Sequence, residues 1–287
     1  PVGTNNVALG DGALDASLTG ASNTAIGSFS LTNNTSGASN TGLGFAALGD
    51  TTTGSFNTAL GTSALENNTT ASNNTAVGYQ AGYTNTTGIG VTLLGATAGY
   101  SLTGNYNTGV GGQALFNTTG SDNVGVGNNA LIANTSGSYN TGIGRDALAA
   151  NTTANSNTAA GWRTAYSNTT GANNAAFGET ALYYNTTGAA NVAVGREALF
   201  NNTTASQNTA VGYQAGYTNT TGTRLSALGY KALLDNTTGG YLTGLGWGAL
   251  VSNTTGSYNT AVGDSALLSN TTASNNTAVG YQAGYSN

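Results

Sequence analysis

The chain has 287 residues, of which five are basic and ten are acidic, and its formal net charge is −5. It contains no Cys, His or Met, which excludes disulfides, thiolate nucleophiles, zinc sites built from Cys or His, and imidazole acid–base catalysis. The few scattered basic residues give no electrostatic footprint for nucleic acid. No apolar run approaches the ~20 residues of a membrane span. We therefore predict a protein that is not an enzyme and uses no cofactor, no metal, no nucleic acid and no membrane span.

One glycine recurs through the chain at an almost constant interval. Successive copies lie 17 residues apart, except for two steps of 16 residues, from Gly95 to Gly111 and from Gly111 to Gly127. Low-complexity sequence rich in Gly, Asn, Thr and Ser is usually disordered, but a register kept over seventeen copies is typical of a solenoid. The glycines are Gly10, Gly27, Gly44, Gly61, Gly78, Gly95, Gly111, Gly127, Gly144, Gly161, Gly178, Gly195, Gly212, Gly229, Gly246, Gly263 and Gly280.

With this glycine as position 0, the repeat reads N-T-A-[VIL]-G-x-x-A-L-x-x-N-T-T-G-S-x. Two short apolar stretches separated by Gly, and then a polar turn, predict two strands and two turns per coil. A helical repeat would need about 30 residues or more. We therefore predict an all-β fold, a parallel β-solenoid (β-roll) of seventeen coils with 17 residues per coil, as a single continuous domain over residues 1–287. At ~4.8 Å per stacked strand, such coils would form a rod roughly 80 Å long.

The aliphatic column at position −1 is expected to point inward and to form the core. A large residue beside a small one in this column, as at Ala160 and Phe177, would keep the local core volume constant. Position −2 is Ala or Gly in every coil except at Leu93, which predicts a close approach of the opposite wall or of a neighbouring chain. The inward column includes Val77, Val194, Val211, Val262 and Val279.

So slim a core favours self-association. Two buried aliphatic side chains per coil contribute about 1.5–3 kcal/mol each. Ordering the backbone costs on the order of 1–2 kcal/mol per residue, which is more. We therefore expect a homo-oligomer, most simply a parallel trimer. Since the chain starts at Pro1 and lacks Met, we also expect a fragment of a longer fibre protein.

The string N-T-A-V-G-Y-Q-A-G at residues 74–82, 208–216 and 276–284 resembles the repeat region of tail-fibre-domain proteins of bacteriophages and bacterial surfaces. The shorter pattern N-x-A-[VI]-G is similar to the head repeats of trimeric autotransporter adhesins, which form a left-handed parallel β-roll trimer. The resemblance implies an extracellular structural rod, on a virion or a cell surface, that mediates or supports attachment to a host surface.

Three other functions remain open. A self-polymerising, glycosylated extracellular filament subunit is the main alternative. Thr-Thr at positions +8 and +9 motivates an ice- or surface-binding face. A glycan-cleaving spike is the third alternative. The charged residues lie mostly at turn positions and no carboxylate pair recurs at a fixed geometry, which disfavours catalysis.

Aromatic residues concentrate at positions +1 and +5. An aromatic ring offers a flat apolar face with a polar tip, so the +1 column could contact cell-surface glycans. The alternative is packing at a corner of the coil. The candidate glycan-contact residues are Tyr79, Trp162, Tyr213, Trp247 and Tyr281.

Asparagine occupies two columns. At position −4 it predicts side-chain hydrogen bonds from coil to coil, and an exposed amide row that binds a glycan is the alternative. At position +7 it matches the acceptor triplet N-x-[S/T], or else forms a turn that caps the coil. The candidate N-glycosylation sites are Asn68, Asn85, Asn151, Asn168, Asn185, Asn202, Asn219, Asn236, Asn253 and Asn270, and Asn34 and Asn134 share their column.

Overall fold

A computed structural model describes residues 3–16 and 19–286. The chain comprises two compact units, Pro1–Asn140 and Thr141–Asn287. Within the described residues there are only short strands, turns and bends, with no helix. Each unit is a parallel β-solenoid in which one sequence repeat makes one coil. The all-β solenoid class and its period are thereby confirmed.

Every coil contributes one strand to a parallel, in-register ladder; in a typical pair, Thr58, Ala59 and Leu60 lie opposite Thr75, Ala76 and Val77. The strands of the first unit are β1 Val7–Leu9, β2 Thr24–Ile26, β3 Thr41–Leu43, β4 Thr58–Leu60, β5 Thr75–Val77, β6 Thr92–Leu94, β7 Thr108–Val110 and β8 Val124–Val126. Those of the second unit are β9 Thr141–Ile143, β10 Thr158–Ala160, β11 Ala175–Phe177, β12 Val192–Val194, β13 Thr209–Val211, β14 Leu225–Leu228, β15 Leu242–Leu245, β16 Thr260–Val262 and β17 Thr277–Val279.

The expected second strand does not form. The apolar stretch around position +4 lies in a tight turn, because residues at +2 and +4 adopt left-handed backbone angles, as at Arg163 (φ 50°), Leu148 (φ 51°) and Leu182 (φ 56°). This conformation costs an L-residue roughly 1–2 kcal/mol. Leu148 and Leu182 are fully buried, and burial of such a side chain contributes about 1.5–3 kcal/mol. Burial therefore offsets the strain.

The glycine at position 0 is required by the stacking of coils. Gly195 has φ 125°, and a Cβ there would lie 2.6 Å from the carbonyl oxygen of Gly212 in the next coil. No side chain fits so close to a backbone oxygen, and L-residues rarely adopt that φ. The same close approach recurs from coil to coil, which explains why this glycine is repeated along the chain.

Position −2 lies inside the coil, where it meets the Leu of the preceding coil. A Cβ at Gly125 would lie 3.1 Å from Cγ of Leu115 and 3.2 Å from the carbonyl oxygen of Ala130. The small column is therefore a consequence of packing within one chain. The expectation that it marks an approach of a neighbouring chain is wrong.

Leu93, the exception in this column, fills space that two neighbouring coils leave empty. Position +4, usually Leu, is Gly82 in one coil and Gly99 in the next. A Cβ at Gly82 would lie 3.0 Å from Leu93 Cδ1, and one at Gly99 would lie 2.7 Å from Leu93 Cδ2. The large side chain at −2 compensates for the missing ones at +4, as close packing requires.

The aliphatic column at position −1 points outward, contrary to the prediction. Successive side chains of a strand alternate between its two faces, so a buried −2 residue places −1 on the opposite side. Val211 is 37% exposed and Phe177 is 43% exposed, while Ala210 and Ala176 beside them are fully buried. Phe177 lies outside the core, so the large Phe177 and the small Ala160 do not balance each other's volume there. Of the five valines expected inside, Val77, Val194 and Val262 are half-buried, and Val211 and Val279 are exposed.

The Asn residues at position −4 form a buried ladder. Asn40 Oδ1 accepts a hydrogen bond from the backbone N–H of Asn57 at 2.9 Å, and Asn57 Nδ2 donates to the carbonyl oxygen of Ala71 at 2.9 Å. The same pattern continues along both units. The predicted coil-to-coil ladder is confirmed. The alternative of an exposed amide row is excluded, because Asn6 and Asn276 are half-buried and every other Asn in this column is buried.

The Asn residues at position +7 form a second ladder. In the second unit, each Nδ2 from Asn168 to Asn270 donates to the Oδ1 of an Asn one coil earlier. In the first unit, Thr51, Leu102 and Thr118 interrupt this column. The interruption leaves the buried Asn34 Oδ1 and Thr51 Oγ1 without hydrogen-bond partners.

We predict that Thr51→Asn raises the free energy of unfolding by about 1–2 kcal/mol, because the new amide supplies a partner for Asn34 Oδ1 and removes the orphaned hydroxyl. Urea unfolding followed by circular dichroism measures the change. Thr53→Asn, at an exposed turn position, is the control and should change stability by less than about 0.5 kcal/mol. A destabilised Thr51→Asn chain would contradict this account of the ladder.

Asn219→Ala should have the opposite effect. Asn219 Nδ2 donates to Asn202 Oδ1 and to the carbonyl of Gly222, and its Oδ1 accepts from Asn236 Nδ2. Truncation leaves the buried partners of Asn219 without hydrogen bonds, at a cost of about 1–3 kcal/mol for each group. We therefore expect the free energy of unfolding to fall by at least about 2 kcal/mol in the same assay. Asn67→Ala, which removes a half-buried amide, is the matched control. Equal stabilities of the two variants would show that the ladder is energetically neutral.

Candidate functional site

On the outward face of each sheet, a row of apolar side chains is left uncovered by the rest of the chain. We call the position −1 residues the apolar stripe. They lie in register beside a column that is mostly Thr at position −3, and neither column contains a charged residue. In the first unit the stripe is Leu9, Ile26, Leu43, Leu60, Val77, Leu94, Val110 and Val126. In the second unit it is Ile143, Ala160, Phe177, Val194, Val211, Leu228, Leu245, Val262 and Val279. Contiguous apolar surface of this kind marks an interaction site.

Two of the predicted glycan-contact residues belong to a stack of rings. The Tyr213 and Tyr230 ring centroids are 5.3 Å apart at an interplanar angle of 22°, and those of Tyr230 and Trp247 are 5.9 Å apart at 4°. Stacking covers both faces of Tyr230 and one face each of Tyr213 and Trp247. One face of each terminal ring is therefore used in packing, and the row offers no continuous platform of ring faces to a sugar.

The other three predicted glycan-contact residues are separate from that stack. The guanidinium of Arg163 lies 4.8 Å from the Trp162 ring centroid and covers one of its faces. Tyr79 and Tyr281 are exposed and make no ring contact among residues 3–16 and 19–286. The structure therefore does not gather the five residues into one platform.

The +5 aromatics also stack along the coils. Tyr83, Tyr100 and Phe116 form one stack, with centroids 5.1 Å apart. A second stack in the second unit consists of Tyr166, Tyr183, Phe200 and Tyr217. Burial, together with the Glu197 carboxylate and the Tyr184 and Tyr213 phenols, raises the pKa of Tyr217.

A groove beside the second stack was not predicted from the sequence. It has a volume of about 600 Å³ and lies between the +6 and +8 columns of the second unit. We call it the Tyr184 groove. The sequence feature that could have indicated it is Tyr184, the only aromatic residue in the +6 column. The groove is lined by Ser167, Tyr184, Thr186, Asn201, Thr203, Thr218 and Thr220.

The threonines at position +8 hydrogen-bond between coils. Thr186 Oγ1 donates to the carbonyl oxygen of Thr203 at 3.0 Å, and Thr203 Oγ1 donates to that of Thr220 at 3.2 Å. The same contact recurs in the first unit, as from Thr35 to Thr52. These hydroxyl protons are therefore engaged within the fold, which weakens the hypothesis that the +8 hydroxyls form a free surface-binding array.

Several charged residues of the second unit form ion pairs with each other. Asp146 is almost fully buried, and Arg163 Nε lies 3.4 Å from its Oδ2. Gln214 Nε2 donates to Glu197 Oε2 at 2.7 Å. Across residues 3–16 and 19–286, no three acidic side chains gather into a metal-binding cluster. In that same part of the chain, no helix is long and apolar enough to cross a membrane.

The predicted glycosylation residues are inside the coils. Asn68, Asn85, Asn151, Asn168, Asn185, Asn202, Asn219, Asn236, Asn253 and Asn270 are all fully buried. N-glycosylation would attach a sugar to Nδ2, but in these residues Nδ2 donates to a backbone carbonyl, as from Asn185 to Gly188 at 2.9 Å. The fold has no room for a glycan there, so these positions are structural and not a sugar row on the surface.

No protein-family model matches this chain, and a search of curated proteins finds no significant match.

Proposed function

We propose that the chain is a rod segment of an extracellular fibre, on a virion or cell surface, which assembles with copies of itself as a parallel homotrimer and supports attachment to a host surface. The observation that carries the proposal is the uncharged apolar stripe on the outward face of each sheet. A second copy of this chain is the partner that matches it best, since it offers the same column at the same spacing.

The size of the stripe suits association. Covering the exposed half of one aliphatic side chain contributes roughly 1 kcal/mol. The eight coils of the first unit therefore supply on the order of 8 kcal/mol per chain. This is comparable to the cost of association, which is about 4–15 kcal/mol. The second unit adds a similar amount.

Repetition favours a parallel arrangement. Each stripe residue lies directly above its equivalent in the adjacent coil, so parallel copies can match every coil with an identical partner. The resemblance to adhesin head repeats supports three chains over two. In that assembly the polar turns remain outside, where they can contact a surface, and the chain provides length and stiffness.

We predict that light scattering of the purified chain at micromolar concentration gives three times the mass of one chain. Leu43→Asp with Leu60→Asp should yield monomers that keep the β-type circular dichroism spectrum, because both side chains are already exposed within one chain. Val211→Asp should likewise leave the fold intact. The paired control, Thr53→Asp with Thr70→Asp, changes exposed turn residues and should remain trimeric.

A stable wild-type monomer at that concentration would overturn the trimer and remove the main support for the fibre. Electron microscopy of the native particle, with antibodies against this chain, tests the biological role. Labelling of a finite fibre on a virion or cell supports the proposal. Labelling of an unbounded filament would instead favour a self-polymerising structural protein.

A further inference from the structure

We infer that the Tyr184 groove binds a neutral oligosaccharide. This inference names a class of ligand for the proposed attachment function, and its biological meaning rests on that proposed function. The groove itself lies within one chain and on positions +6 and +8, whereas the apolar stripe lies on position −1. Self-association through the stripe and ligand binding in the groove therefore use different residues.

The orientation of the Tyr184 ring differs from that of the stacked rings. Its centroid is 4.7 Å from that of Tyr183 and 5.2 Å from that of Phe200, at interplanar angles of 80° and 86°. Since Tyr183 and Phe200 stack on each other at 5.3 Å, it is their edges that meet one face of Tyr184. Tyr184 is 46% exposed and lines the groove, so its other face is the one that a ligand in the groove would meet. A pyranose ring stacks on an open aromatic face of this kind.

The polar groups around the ring supply both hydrogen-bond acceptors and hydrogen-bond donors. The hydroxyl protons of Thr186 and Thr203 are engaged with carbonyls, so their oxygens offer free lone pairs to a ligand O–H. Thr218 Oγ1 likewise donates to the carbonyl of Leu234 at 2.6 Å. The side chains of Asn201 and Ser167 make no hydrogen bond within the described residues and can donate to a ligand. Sugar hydroxyls match this set because each both donates and accepts.

Charge and dimensions narrow the ligand class. None of the seven lining residues is charged, which disfavours a polyanion and matches a neutral sugar chain. The volume of about 600 Å³ lies within the range of small-ligand sites. From Ser167 to Thr218 the lining spans three coil steps of ~4.8 Å, or about 14 Å, which suits an oligosaccharide lying along the coils rather than one monosaccharide.

Isothermal titration calorimetry of the purified chain tests the inference. The probes are hexasaccharides of β-1,4-glucose, α-1,4-glucose, N-acetylglucosamine and mannose, with oligogalacturonate as the charged probe. We expect at least one neutral probe to bind, once per chain, with a Kd of about 1 mM or lower. Tyr184→Ala should weaken this binding at least ~10-fold, whereas Tyr184→Phe, which keeps the ring, should stay within ~3-fold.

Two matched controls separate the groove from general surface effects. Tyr79→Ala removes an exposed ring in the first unit, and Asn67→Ala removes an amide at the same +6 position as Asn201. Neither should change binding, whereas Asn201→Ala should weaken it. If Tyr184→Ala does not fold by circular dichroism, Asn201→Ala decides the question.

The inference is overturned if no neutral probe binds at ~10 mM, if only oligogalacturonate binds, or if a folded Tyr184→Ala or Asn201→Ala chain binds as tightly as wild type. Light scattering on the same samples keeps the two proposals distinct. A trimer without sugar binding rejects the groove alone, and a monomer with Tyr184-dependent binding rejects the trimer alone.

Discussion

Within each unit, a residue typically packs against the residue at the same position in the adjacent coils, ~4.8 Å away. This self-stacking constrains the rest of the structure. At position 0 it brings backbone to within reach of backbone, so that only glycine fits, as the approach of Gly195 to Gly212 illustrates. Where a polar side chain must be buried, it requires a group that can hydrogen-bond to its own copy. Asparagine meets that requirement because its amide both donates and accepts.

A coil built in this way has an interior with little volume. Ala at −2 and +3, Leu at +4 and the two Asn columns occupy it, and Leu93 shows how closely the volume is matched. The larger aliphatic residues of the strand are consequently placed outside. An apolar sheet face is a poor surface for an isolated chain, so the geometry that makes a thin solenoid possible also favours association with other copies.

Self-stacking also determines what the aromatic residues can do. Rings at equivalent positions of successive coils lie face to face, as Tyr213, Tyr230 and Trp247 do, and this arrangement stabilises the surface while covering the faces between the rings. A ring without an aromatic copy above or below is free to turn. Tyr184 is such a ring, and it packs across the edges of a neighbouring stack. Its open face is a local exception to the repeat, and specific recognition is more easily built from an exception than from a uniform row.

The sequence by itself determined the period, the parallel in-register stacking, the Asn ladder at −4 and the exclusion of Cys and His chemistry. A fixed period with glycine at each copy leaves few other ways to satisfy the backbone, so these features follow from the pattern alone. Only the tertiary structure decided which side of the strand faces inward. Thr58–Leu60, like most of the strands, has only three residues, which is too short for a clear apolar–polar alternation. A small Ala flanked by Thr and Leu is therefore compatible with either face of the strand pointing inward. The answer depended on the left-handed turn at +4, which brings Leu over the −2 position and leaves no room there for a larger side chain. The same turn buries the Asn column at +7, where the sequence motif alone suggested glycosylation at the surface.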